Sequence, residues 1–182
     1  MIEPQEKERR RGLVLNFTGN GKGKTTGALG TAIRALGWGW RVAILQFVKD
    51  DRDTGERRFL AGLPHPPEFL SLGRGATWTP DVNPEQHRTA AARAWQIAAA
   101  RLNNPDIDLL ILDELNIALH QGWIDPDIVI AALQHRPTTM HVIITGRHAP
   151  EKLLAASDLV SEINELKHPF QHGIMAQPGI EY

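Results

Sequence analysis

Apolar residues come in short blocks separated by glycine, proline and charge, and the blocks alternate between two periodicities. Residues 13–17 form a compact branched-apolar run that reads as a buried strand, stopped by Gly19, Gly21 and Gly23. From 24 to 36 the period changes: Ala28, Leu29, Ala32, Ile33 and Leu36 recur at helical spacing, and Gly37 stands where a helix C-terminus is capped. Residues 41–48 supply a second strand, close enough behind the helix to complete a βαβ unit. Residues 50–84 are rich in glycine, proline and charge, and predict long loops interrupted by one brief helix and one short strand. An alanine-rich helix follows over 85–102, ended near Pro105, and then an almost wholly apolar strand at 109–112 that runs into Asp113 and Glu114. Helix 127–134, strand 141–145, helix 150–156 and short strand 159–163 continue the alternation. Strands alternating with helices predict an α/β fold whose mostly parallel central sheet is covered on both faces.

The chain has 182 residues and no internal repeat or linker, so the reading is one domain over 13–182 behind a charged tail at 1–12. Glu3, Glu6 and Glu8 face Lys7, Arg9, Arg10 and Arg11 in that tail, which lacks the apolar stretch of a secretory signal. It is expected to be mobile, or a helix that orders only against something else. Twenty Lys and Arg against 21 Asp and Glu leave a charge of −1, too balanced for a general nucleic-acid or anionic-membrane surface. With no cysteine, disulfides, thiolate metal sites, iron-sulfur clusters and cysteine nucleophiles are excluded. No run of 18 apolar residues occurs, and the expectation is a cytoplasmic protein that binds neither nucleic acid nor membrane.

Candidate chemistry concentrates in Thr18-Gly19-Asn20-Gly21-Lys22-Gly23-Lys24-Thr25-Thr26, which ends in the Gly-Lys-Thr of a P-loop and lies between a predicted strand and a predicted helix. Glycines let successive backbone N–H groups converge on phosphate oxygens, and the helix that follows adds unpaired donors and the positive end of its dipole. Lys24 brings a full charge, Thr25 a hydroxyl suited to the magnesium that accompanies a nucleoside triphosphate, and Thr26 a hydroxyl for phosphate or for its own helix. The usual motif starts with glycine where this chain has Thr18. At the end of the apolar strand Asp113, with Glu114 beside it, reads either as support for a metal or as an acidic cap of a helix over 116–120. His168 and His172 have a spacing compatible with one metal on a helix, but Pro169 opposes that helix. Trp38, Trp40, Trp95 and Trp123 read as packing residues.

The loop, Asp113-Glu114-Leu115, the Val142 to Arg147 strand end, Lys167-His168-Pro169-Phe170 and the ending Ala176-Gln177-Pro178-Gly179-Ile180-Glu181-Tyr182 together resemble the ATP:corrinoid adenosyltransferases of the cobalamin pathway, from about Leu13 to Tyr182. The resemblance implies a three-layer P-loop fold of the RecA-like type, a homodimer, and transfer of the 5′-deoxyadenosyl group of ATP to the Co(I) of a reduced corrinoid with release of triphosphate. It also implies magnesium or manganese, an electron-donating reductase such as a flavoprotein, and an ATP that lies reversed in the loop. Carried over, Gly19 to Thr25 hold the triphosphate, including Asn20, Gly21, Lys22 and Gly23, and Thr26 counts with them among the ATP-binding residues. Lys24, Thr25 and Glu114 are the catalytic group, with Thr25, Glu114 and Asp113 toward the metal. Arg34 and Arg147 match positions near the nucleotide, or are respectively an exposed helix charge and a strand-end ion pair. Trp78 matches an aromatic that shields the lower face of cobalt, whereas Ala76 stands where the family can carry Phe. Lys167, His168 and Phe170 hold corrinoid or dimer contacts. The rivals are a P-loop kinase or ATPase that transfers the γ-phosphoryl group, and a nucleotide-gated corrinoid carrier without turnover.

Overall fold

The computed structural model describes residues 11–75 and 83–182. In chain order the elements are β1 (Val14–Thr18), α1 (Lys24–Gly37), β2 (Val42–Gln46), α2 (Gly55–Ala61), β3 (Glu68–Ser71), α3 (Pro84–Leu102), β4 (Leu109–Asp113), α4 (Leu115–His120), α5 (Pro126–His135), β5 (His141–Thr145), α6 (Glu151–Ala155), β6 (Leu159–Glu162) and a 3-10 turn at Pro169–His172. Helices α3 and α5 start on the signals their sequences carry. Asn83 accepts the Glu85 N–H before α3 and Asp125 accepts the Asp127 N–H before α5, with proline in each first turn.

The six strands form one sheet in the order β3-β2-β4-β5-β1-β6, and every pairing is parallel. The sequence reading expected a mostly parallel sheet, and the observed one is entirely so among the described residues. Alternation along β4 explains the layers: Leu110 and Leu112 join the core beneath α3, α4, α5 and α6, and Leu109 and Ile111 join the core beneath α1 and α2. Ala91, Ala94 and Ala98 bring α3 against the first face, and Ala28, Ala32 and Ala35 bring α1 against the second. Small residues there allow close helix-on-sheet approach. This is the three-layer, RecA-like P-loop arrangement.

Two details depart from expectation. Ile33, counted in the apolar stripe of α1, is half exposed, and Trp38, read as a packing residue, is 66% exposed just past the end of that helix. The other tryptophans pack. Trp40 stacks on His141 with ring centres 5.1 Å apart, Trp123 stacks on His87 at 5.3 Å, and Trp95 lies against the core. At the start of the described chain, Arg11 pairs with Asp158 at 2.7 Å and Gly12 donates to the Thr138 carbonyl at 2.7 Å.

Because all strands run the same way, the ends of β1, β2, β4 and β5 open onto one edge of the sheet. Thr18, Gln46, Asp113 and Thr145 are brought together there, where ligands bind in open α/β sheets.

Candidate functional site

The loop after β1 is shaped by two glycines in the left-handed region, Gly19 at φ 90° and Gly23 at φ 121°. Its outer wall is the chain that follows β6: Gly21 donates to the Ile163 carbonyl at 2.7 Å, and a Cβ on Gly19 would lie 2.5 Å from that same oxygen. Gly23 is the N-cap of α1 and provides no side-chain cap, so the first amides of the helix are left for an anion. Lys24 donates to the Gly19 and Gly21 carbonyls at 2.7 and 2.5 Å, which folds its ammonium back into the loop. Burial holds its pKa below the usual lysine value, the charge of Arg147 adds to this, and Glu114 partly opposes it. Thr18 is accounted for as the last residue of β1. Its buried hydroxyl accepts the Ala149 N–H at 3.3 Å and its carbonyl accepts the Ile163 N–H at 2.9 Å, so it anchors the base of the loop.

Asp113 is 1% exposed and has both oxygens saturated. Oδ1 accepts from the Thr25 hydroxyl at 2.8 Å and the Thr145 hydroxyl at 2.7 Å, while Oδ2 accepts from the Gln46 amide at 2.9 Å and lies 3.2 Å from the Lys49 ammonium. A buried carboxylate is tolerable only with such a set of donors. Gln46 is itself held, because its Oε1 accepts from Ser71 at 2.9 Å.

Glu114 adopts φ 63°, a conformation that costs an ordinary residue on the order of 1–3 kcal/mol. The turn is pinned from three sides. Its N–H donates to the Thr145 hydroxyl at 2.9 Å, and Asn116 next to it binds Asn16 at 2.9 Å and the Gly146 carbonyl at 3.1 Å. The helix-cap reading therefore fails for the Glu114 side chain: it makes no cap bond to α4, and its buried Oε2 has no partner. Burial, reinforced by repulsion from Asp113, raises its pKa to about 7 against the pull of Lys49, Lys24 and Arg147.

Lys49, like Gln46 and Thr145, is a residue that sequence reading missed. It sits three positions beyond Gln46, which is in register with Asp113, and its ammonium also lies 3.5 Å from the Thr25 hydroxyl. Burial lowers its pKa, but Asp113 and Glu114 more than compensate, so the net shift is upward. A lysine directly behind a wholly buried strand was the available signal.

The remaining candidates divide. Asn20 and Thr26 are exposed along the loop and the first turn of α1, and Lys22 pairs with Glu181 at 2.5 Å. Arg147 is exposed after β5, near enough for its charge to act on both Lys24 and Glu114. Arg34 lies in the last turn of α1, about 15 Å along the axis from Lys24 at 1.5 Å per residue, and is not brought to the loop. Lys167, His168 and Phe170 belong to the segment that leaves the loop at Ile163 and returns to it at Glu181. In that segment His168 accepts the Phe170 N–H at 3.2 Å, and both residues line a groove of about 140 Å³ with Ile174 and Ile180. Ala76 and Trp78 lie outside the described residues. Among the described residues no three His, Asp or Glu side chains converge on one point, so a metal at this edge would have to take hydroxyl and substrate oxygens too.

Comparison with known proteins adds the following. Residues 10–182 match the family described as ATP:corrinoid adenosyltransferase BtuR/CobO/CobP. The chain is 43% identical over 173 residues to a corrinoid adenosyltransferase of Pseudomonas aeruginosa, covering 94% of this chain and 84% of that protein. It is equally similar, at 43% with 94% and 86% covered, to a corrinoid adenosyltransferase of Escherichia coli K12. It is 42% identical to the corrinoid adenosyltransferase CobA of Salmonella typhimurium, with 96% and 88% covered. Among solved structures, the flagellar accessory protein FlaH from Methanocaldococcus jannaschii shares the fold, with a TM-score of 0.50 at 11% identity over 89% of this chain and 77% of that one.

Proposed function

The chain belongs to the ATP:corrinoid adenosyltransferase family, and on that premise we propose how its residues carry out the transfer. It is a transferase of adenosylcobalamin biosynthesis, and its substrates are ATP and a corrinoid. The 5′-deoxyadenosyl group passes to Co(I) of the reduced corrinoid and the whole triphosphate departs. The nucleophilic electron pair of Co(I) carries no proton, so attack on C5′ asks for no general base. What the protein must do is hold a strongly charged leaving group and align sugar carbon with cobalt.

The observation that carries this reading is the joining of loop and strand end, the Thr25 hydroxyl on Asp113 at 2.8 Å with Lys24 beside it on the loop carbonyls. Gly19 to Thr25 bind the triphosphate through backbone N–H groups and the N-terminal amides of α1. Lys24 moves from the Gly19 and Gly21 carbonyls to phosphate oxygen, and Arg147 adds positive charge at the same edge. Asp113, Thr25 and Glu114 offer the hard oxygen donors that suit magnesium or manganese, and the unpartnered Oε2 of Glu114 fits such an ion. When bound, the ion supplies charge neutralisation at the polyphosphate. The ribose faces outward toward a corrinoid lying against Lys167, His168 and Phe170, and the family resemblance adds Trp78 and Ala76, outside the described residues, to the corrinoid side.

The rest of the proposal is a single domain over 13–182 behind the tail, a homodimer, a flavoprotein electron donor and a cytoplasmic location; its support is the family resemblance. Among the described residues no helix is long and apolar enough to cross a membrane. The test is single-turnover spectroscopy of the purified protein with ATP and chemically reduced corrinoid under anaerobic conditions. Formation of the cobalt–carbon bond is expected, and binding of both ligands without that bond would leave only a carrier.

A further inference from the structure

Lys49 lies outside the P-loop and outside the Asp-Glu pair, yet its ammonium touches both. It is 3.2 Å from Asp113 Oδ2 and 3.5 Å from the Thr25 hydroxyl, the oxygens assigned above to a divalent ion. Its side chain is 33% exposed while Asp113 is 1% exposed, so the stem comes down from solvent onto a buried anion. Two other nearby cations are engaged elsewhere, while Arg147 acts by its charge on Lys24 and Glu114. Lys24 is bonded to the Gly19 and Gly21 carbonyls, and Arg57 is paired with Asp51 and bonded to Ser71. Among the described residues, Lys49 is the cation bonded to Asp113.

We propose that Lys49 is a displaceable internal cation, holding the Thr25–Asp113 pair in the free protein and giving way when a divalent ion arrives with the polyphosphate. Two cations cannot share these oxygens without strong repulsion at such distances. Lysine suits the task because it is a compact point charge on a flexible stem, with no planar fork to lock it in place. The displaced ammonium needs an anion, and the incoming triphosphate is one. Metal alone therefore meets a site already neutralised, while metal with nucleotide supplies both the replacement charge and a new partner for Lys49. Binding of the two is coupled through this side chain. The inference rests on the reading of Thr25, Asp113 and Glu114 as metal ligands.

The experiment is titration of Mn²⁺ followed by electron paramagnetic resonance, with and without ATP, on the wild type, Lys49→Met, Lys49→Arg and Asp113→Asn. Without ATP, Lys49→Met is expected to bind Mn²⁺ about tenfold more tightly than the wild type, and Lys49→Arg no more tightly. Equal affinity of Lys49→Met and wild type, with Asp113→Asn weakened, overturns the role of Lys49 alone. Unchanged affinity of Asp113→Asn with ATP present overturns the metal-ligand reading itself. If Lys49→Met does not fold, the wild type carries the same test. Its Lys49 ammonium nitrogen resonance, assigned by its loss in Lys49→Arg, is expected to shift with magnesium and ATP together but not with magnesium alone. A resonance unmoved by both together overturns the proposal.

Discussion

The Thr25 hydroxyl donates to the Asp113 carboxylate over 2.8 Å, although β5 stands between the strands that lead to these two residues. Thr145, at the end of that intervening strand, bonds the same carboxylate oxygen at 2.7 Å. The first turn of α1 and the ends of β4 and β5 thus meet at one buried oxygen. The phosphate loop is registered to the acidic turn through the sheet, and a shift of either would be felt by the other.

Lys24→Ala removes the mobile charge of the loop. Turnover in an anaerobic cobalt–carbon assay is expected to fall by about 10²- to 10³-fold or more. Only two hydrogen bonds to loop carbonyls are lost, so the melting transition should stay within about 1–3 kcal/mol of the wild type. Retained turnover would remove the loop lysine from the mechanism.

Glu114→Gln separates stability from activity. The Glu114 carboxyl titrates near 7 in the folded protein against an ordinary 4.5, so folding favours its protonated form. Its contribution to stability is complete below about pH 4.5 and is lost as pH rises through 7. The variant should therefore be the more stable protein at pH 8, by up to about 3 kcal/mol, with the gain closing toward pH 5. Urea unfolding at both pH values checks this, and a pH-independent difference would contradict it. Turnover should fall in the same variant.

Much of this was legible in the chain itself. The apolar blocks at 13–17, 41–48, 109–112 and 141–145 place four strands because a doubly covered parallel sheet demands uninterrupted apolar runs. The loop was legible because glycine spacing and Gly23-Lys24-Thr25 follow from phosphate chemistry. Lys49, Gln46 and Thr145 were not, since their importance depends on strand order: each meets Asp113 only once β2, β4 and β5 are neighbours. The left-handed turn at Glu114 was equally hidden, because Asn116, Asn16 and Gly146 impose it from separate elements. Trp38 shows the converse: an aromatic residue suggests burial, but this one comes at a helix end that faces solvent.

Gly19→Ala tests the packing of the loop on the segment after β6. The residue is at φ 90° and a Cβ would press within 2.5 Å of the Ile163 carbonyl, a backbone atom that cannot swing away. A loss on the order of 2 kcal/mol or more in stability is expected, together with weaker ATP binding by calorimetry. A variant that melts and binds like the wild type would show that the loop does not lean on that wall.

Trp78→Ala addresses the corrinoid side, where the resemblance implies an aromatic against the lower face of cobalt. Reduction of bound Co(II) should be impaired more than transfer to chemically prepared Co(I). Equal impairment of both would count against shielding by Trp78.

The most direct test is the identity of the phosphorus product, read by ³¹P resonance after anaerobic turnover of ATP with reduced corrinoid. Intact inorganic triphosphate, formed in step with the cobalt–carbon bond, is the expected result. ADP accumulating instead would mean that the terminal phosphoryl group is what moves, and the account of an anchored triphosphate leaving group would be wrong.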